Sequence, residues 1–169
     1  MFGKILGLIC NISFYSFAFI FWCIFCATLF VGYDVVKNNL KLYRLDEDFQ
    51  SIQHYPHSQK VLSERAVGLL RGNGNHCDFF VGQLRQYEGN KEDVKEFYPQ
   101  WKDEIGGNYV GLVFLENSKF TDEDAYWNLP YDMNEESYWI GEVEDENERY
   151  FIVYFLDVGN EPRFDIRCH

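Results

Sequence analysis

Residues Ile5 to Tyr33 read ILGLICNISFYSFAFIFWCIFCATLFVGY, a run of 29 residues without one charged side chain. A helix rises ~1.5 Å per residue, so the run exceeds the ~20 residues that span a hydrocarbon core. In lipid the backbone must satisfy its own hydrogen bonds, which leaves a helix as the conformation for a single segment. The run therefore predicts a transmembrane helix over residues 5–33 whose partner is the lipid bilayer. A cleaved signal peptide has an apolar region of roughly 7–15 residues and a small-x-small cleavage site, neither of which fits this long, bulky stretch. Lipidation is excluded in the same way, because Cys10 follows Ile9 and Cys26 follows Phe25, where a small residue is needed. The anchor is expected to stay attached.

The anchor divides the chain into a short flank (1–4), the span (5–33), a helical stalk or linker (34–54) and a soluble domain (55–169). After the span stand 14 basic residues against all 27 acidic ones, a formal charge of −13. Phosphate backbones repel such a surface, so nucleic acid is excluded as a partner, and so is flat binding to an anionic leaflet. A basic protein partner, cations and plain solubility all fit the charge. Lys4 lies on one side of the span and Lys37, Lys41 and Arg44 on the other, so flanking charge does not favour an outward-facing C-terminus. The cysteines pull the other way. Cys10, Cys23 and Cys26 lie in the span, which leaves Cys77 and Cys168 as the one pair in the soluble part.

Beyond the span, Val35, Leu42, Leu45, Phe49 and Ile52 recur at helical spacing, with Asn38 filling a seam position. That stripe fits either a weak parallel homodimer through the stalk, with Asn38 fixing the register, or a helix lying on its own domain. Pro56 marks the entry turn. Lys60–Gly72 is ambiguous: Leu62, Ala66, Leu69 and Leu70 fit a helical face, while Lys60 to Arg65 fits the start of a strand. Gly72 to Asn75 is a loop. Cys77, Phe79 and Val81 share one face of a strand running to about Tyr87. Asn90 is placed to cap a short helix with Asp93 at its third position, Val94, Phe97 and Tyr98 as its buried stripe and Pro99 as its end, and Trp101 is expected to pack just beyond. Gly106-Gly107 is a turn, and the continuous apolar run Tyr109 to Leu115 predicts a central strand covered on both faces. Residues 116–136 read as a long loop with one helical turn near Asp122 to Tyr126. Ser137 to Val143 and Arg149 to Leu156 read as a hairpin across the acidic loop 144–148, and the alternation from Pro162 to Cys168 predicts an edge strand. The fold class is α+β: a transmembrane helix and stalk, then a small domain with a mainly antiparallel sheet and one or two helices.

Cys77 and Cys168 open the first predicted strand and close the last, so a bridge between them would tie the ends of the domain; two buried free thiols are the alternative. His76-Cys77 and Cys168-His169 also form a complete zinc set by residue type, but neighbours on a strand point to opposite faces, so no metal is assigned. His54 and His57 read as exposed linker residues. Asp122-Glu123-Asp124 and Glu144 to Glu148 lack the Asp/Asn alternation and central glycine of a calcium loop. Tyr126, Trp127, Tyr131 and Trp139 stand among carboxylates, a composition that fits a cleft for a sugar or an organic cation and fits core packing equally. No nucleophile elbow or phosphate loop is present, and no catalytic residue or cofactor is assigned.

Tyr55-Pro56-x-Ser58, the strand-opening Cys77, Val94-x-x-Phe97-Tyr98 and Trp101 together resemble a group of uncharacterised, small membrane-anchored bacterial domains with a YPxS segment and a VxxFY helix. The likeness covers residues 55–101. It implies a single pass through a bacterial inner (cell) membrane with the soluble domain facing away from the cytoplasm, and it transfers no catalytic residue. The functional expectation is a membrane-tethered acidic interaction or accessory module, of immunity or inhibitor type, rather than an enzyme. The alternative is a small-ligand-binding or hydrolytic domain that uses residues 120–148.

Overall fold

A computed structural model describes residues 2–71, 74–98, 109–116, 119–120, 129–130, 133, 139 and 149–169, and side chains within these except for residues 2–15, 109, 116 and 120. The charge-free run is the first half of one continuous helix, α1 (Phe2–Ser51). Near the N-terminus α1 is long and apolar enough to cross a membrane. From Asp34 onward its character changes, because one face is taken by the domain. Leu45, Phe49 and Ile52 are buried with Leu42 beside them, and the Phe49 ring meets Phe155 edge-on at 5.1 Å. The stalk stripe thus packs on its own domain. Asn38 spends its amide within the chain, donating to Asp165 Oδ2 at 2.9 Å.

Among the described residues, four long or medium strands and one short one follow: β1 (Ser58–Gly68), β2 (Cys77–Tyr87), β3 (Tyr109–Glu116), β4 (Lys119–Phe120) and β5 (Tyr150–Asn160), with helix α2 (Lys91–Phe97) between β2 and β3. The sheet order is β1-β2-β5-β3-β4, and every pairing is antiparallel. The period of two sorts the strands into two apolar faces. Cys77, Phe79, Val81, Phe151, Val153 and Phe155 face α1 and α2, while Phe80, Leu84, Ile152, Tyr154 and Leu156 face Leu129, Met133 and Trp139. Burial of such side chains contributes ~1.5–3 kcal/mol each, so the two-sided sheet is the stable centre. Gly111 on β3 leaves the space that Tyr154 on β5 fills, since an added Cβ would overlap the tyrosine ring.

One ambiguous element is resolved and two depart from sequence-based expectation. Lys60–Gly68 is strand, the extended of its two readings, with a bulge between Lys60 and Leu62. The hairpin partner expected at 137–143 is replaced: β5 pairs with β2 on one edge and β3 on the other, and a strand has only two edges. Within that expected strand Trp139 is helical, and its neighbours lie outside the described residues. The expected edge strand at 162–168 is instead a turn followed by a 3-10 turn over Ile166–Cys168. Asp165 is the reason. Its buried carboxylate accepts from the Arg167 backbone N–H and guanidinium, a local closure that competes with extended pairing. Arg163 reverses the chain there with φ of 48°.

Asn90 precedes α2 as expected, although its side chain makes no capping hydrogen bond, and Val94 and Tyr98 are buried. The predicted turn at Gly106-Gly107, the position of Trp101, the helical turn at 122–126 and the loop 144–148 lie outside the described residues.

Candidate functional site

Among the described residues, the densest polar chemistry gathers where the C-terminal turn meets α1. Cys77, at the start of β2, and Cys168, in the 3-10 turn, form a disulfide across 91 positions, and both residues are fully buried. Their neighbour Asp165 is also fully buried, and it is held by Arg167 through Nε at 2.9 Å and Nη2 at 2.7 Å, with Asn38 of α1 on the far side. The Arg167 hydrogen bonds, assisted by Asn38, hold the Asp165 carboxyl at about 2, below its usual value, against the opposing effect of burial. Arg167 then reaches α1 itself, donating from Nη1 to Asn39 Oδ1 at 2.8 Å. Two more ties complete this clasp. The Phe164 N–H donates to Asp34 Oδ2 at 3.3 Å, and Lys41 bridges to Asp157 at 2.7 Å and Asn160 at 2.6 Å. The C-terminal carbonyl at Arg167 accepts from Leu69 N–H at 2.8 Å, and at Gly68 an added Cβ would stand 2.8 Å from that same oxygen.

The four residues of the zinc set part company here. The cysteines meet, with Asp165 close enough to complete a trio of metal-capable groups. His76 instead faces Asp78 at 3.1 Å, and His169 faces the Arg163 carbonyl at 2.9 Å. Cys77 and Cys168 are spent in the disulfide, and Asp165 is committed to the Arg167 guanidinium, whose positive charge opposes a cation at the same oxygens. Asp78, fully buried, also accepts from the backbone N–H groups of Arg71 and Gly159, so it joins the ends of three strands. The clasp can fix geometry. It presents no exposed nucleophile.

The segments Tyr55-Pro56-x-Ser58 and Val94-x-x-Phe97-Tyr98 converge in space. Tyr55 stacks edge-on against Phe97 at 5.7 Å, and its N–H donates to the Tyr98 hydroxyl at 3.1 Å. Ser58 Oγ donates to the Tyr55 carbonyl at 2.6 Å and accepts from Arg85 Nε at 2.9 Å. Arg85 is buried and further held by the Ser58 carbonyl and Gln83 Oε1. Desolvation pushes the Arg85 pKa down and the Tyr98 pKa up. His54, expected as an exposed linker residue, sits between them, with Nδ1 3.4 Å from the Tyr98 hydroxyl and Nε2 buried without a hydrogen-bond partner among the described residues. Burial first, then the positive charges of Arg85 and Lys60, lower its pKa to about 4, so the ring is neutral at physiological pH. YPxS and VxxFY are thus two halves of one structural joint.

Among the candidate ligand-binding aromatics, Trp139 is fully buried against Phe80, with its indole N–H donating to the Met133 carbonyl at 2.6 Å. Tyr126, Trp127 and Tyr131 lie outside the described residues. Residues 116–148, which contain all four, hold twelve acidic residues against one lysine, a formal charge of −11. Of its described residues, Leu129, Met133 and Trp139 pack on the sheet face opposite α1. Sequence reasoning missed Asp165, Arg167 and Arg85. The signal for the first two was an ionic pair two residues apart beside a cysteine, hidden inside an alternation that looked like a strand. Comparisons with protein-family models, characterised proteins and solved structures find no match for this chain.

Proposed function

We propose that this chain is a single-pass, membrane-tethered interaction module that offers an acidic segment to a basic protein, in the manner of an inhibitor or immunity protein. One observation carries the reading. Nearly all of the excess negative charge falls within residues 116–148, and the described anchors of that segment lie on the sheet face turned away from α1. A charge spread for solubility has no reason to concentrate in one segment, whereas a field that steers a basic partner does. The domain is read as facing an oxidising compartment, outside a bacterial inner membrane, because a disulfide such as Cys77–Cys168 persists there and is rare in a reducing cytosol. The resemblance over residues 55–101 supports the same side.

The test uses the full chain in detergent, since α1 supplies core residues of the domain. Immobilised protein should retain basic proteins at low salt and release them as salt rises. Replacing Asp122, Glu123, Asp124, Glu144, Asp145, Glu146 and Glu148 with their amides should weaken that retention by about tenfold or more. Equal retention by the amide variant would sink the proposal.

A further inference from the structure

The face of α1 turned away from the domain carries a second apolar stripe. Val36, Leu40 and Tyr43 are 57%, 56% and 55% exposed, beyond the first charged residue after the span. At about 100° per residue they stand on the side of α1 opposite Asn38, Leu45 and Phe49, which meet the domain. The same register runs back through Tyr33, Leu29, Cys26, Trp22 and Phe19, alternating steps of three and four residues, and stops at Glu47. Lys37, Asn39 and Arg44 flank the stripe and none falls within it. Lipid would cover the portion inside the span. It does not account for Val36, Leu40 and Tyr43 continuing at the same spacing past Asp34, the last two also past Lys37.

We infer that this stripe is the seam of a parallel homodimer in which two α1 helices pair back to back, with their domains projecting to opposite sides. A second copy is the occupant for three reasons. Outside the span, where Lys37, Asn39 and Arg44 flank the stripe, Val36, Leu40 and Tyr43 keep the alternating steps of three and four that mark a helix packing against its like, in register with the span below. Anchoring in one membrane sets two copies parallel and concentrates them, which favours pairing at little entropic cost. The described residues of the domain meet the other side of the helix, so none of them obstructs the seam. The earlier stripe through Leu42, Leu45 and Phe49 serves the domain, and the two functions use separate faces of one helix.

The chain carries its own probe. Cys26 lies in the seam, whereas Cys23 and Cys10 lie outside its register. Full-length protein in phosphatidylcholine vesicles, oxidised with copper phenanthroline and run without reductant, should give a covalent dimer. The dimer should persist in Cys23→Ser and disappear in Cys26→Ser. In mild detergent the protein should scatter light as twice the chain mass, and Leu40→Asp should halve that mass without altering the melting temperature of the domain. A crosslink that survives Cys26→Ser, or a wild-type chain that is monomeric in detergent and forms no crosslink, overturns the seam. The inference rests on α1 being the membrane anchor, and alkaline carbonate extraction of the same vesicles separates the two: a pelleted chain without the Cys26 crosslink refutes only the dimer, while an extracted chain refutes the anchor and the parallel pairing with it.

Discussion

His54 shows how one side chain can make the whole domain acid-sensitive. Its pKa falls from 6.5 to about 4 on folding, chiefly by desolvation and then by Arg85 and Lys60. Below pH 6.5 the unfolded chain therefore takes up a proton that the folded chain refuses. Stability from this residue is complete above that value and is lost as pH falls toward 4. The loss is on the order of 1–2 kcal/mol once solvent screening of a partly exposed ring is counted. Thermal melts across this range should show the fall in wild type and a flatter profile in His54→Gln. Gly111 acts through volume. Gly111→Ala would drive a methyl into the ring of Tyr154, which is buried and stacked on Phe80, and should destabilise by about 1–3 kcal/mol in urea titration. The same change at Gly159, where an added Cβ meets nothing within 4 Å, should not meet that steric penalty, although its φ of 76° disfavours alanine for a different reason. Both glycines are plain in the sequence. Which of them holds space for a neighbour is not, because the neighbour is 43 residues away on another strand.

At the scale of elements, the C-terminal turn is a strap, and the disulfide is its rivet. Closing a loop across 91 positions is worth roughly 4–5 kcal/mol in the chain-entropy description. Cys168→Ser should lower the urea midpoint accordingly, and dithiothreitol should do the same to wild type but not to the variant. Asp165 and Arg167 hold the strap to α1 independently of the sulfurs, so the reduced protein should remain folded with a looser C-terminus, visible as faster amide exchange at residues 163–169. The alternation of Phe164, Ile166 and Cys168 suggested a strand with those three side chains on a common inner face. In the fold only Cys168 is buried, and Phe164 and Ile166 are 61% and 74% exposed. The period was real in the sequence, but a buried ion pair outweighed it. β1 shows the converse: its side chains fit two periods, and pairing with β2 chose the extended one.

For the whole molecule, orientation is the question on which the proposed partner depends. A thiol reagent that cannot cross membranes should fail to label Cys77 and Cys168 in intact cells until reductant is added, and should then label both. Labelling that needs permeabilisation and no reductant would place the domain in the cytoplasm. The acidic segment, the clasp and the anchor then have separate tasks. On the proposed reading the segment offers charge and α1 supplies the tether and a free apolar face, while the clasp fixes the domain against α1.

Legible along the chain were the helix from its charge-free run, the α+β class, the strands at Cys77–Tyr87 and Tyr109–Glu116, the short helix after Asn90 and the candidacy of Cys77 and Cys168 as partners. These follow from local physics: period, length, turn chemistry and a count of cysteines. Tertiary structure alone decided that β5 lies between β2 and β3, that Asp165 and Arg167 close the C-terminal turn on Asn38, and that the stalk stripe belongs to the domain. The strand order and the C-terminal closure depend on which distant residue arrives to satisfy a buried edge or charge, and such arrivals leave no periodic trace along the chain, whereas the stalk stripe is periodic but its period does not name the face that covers it.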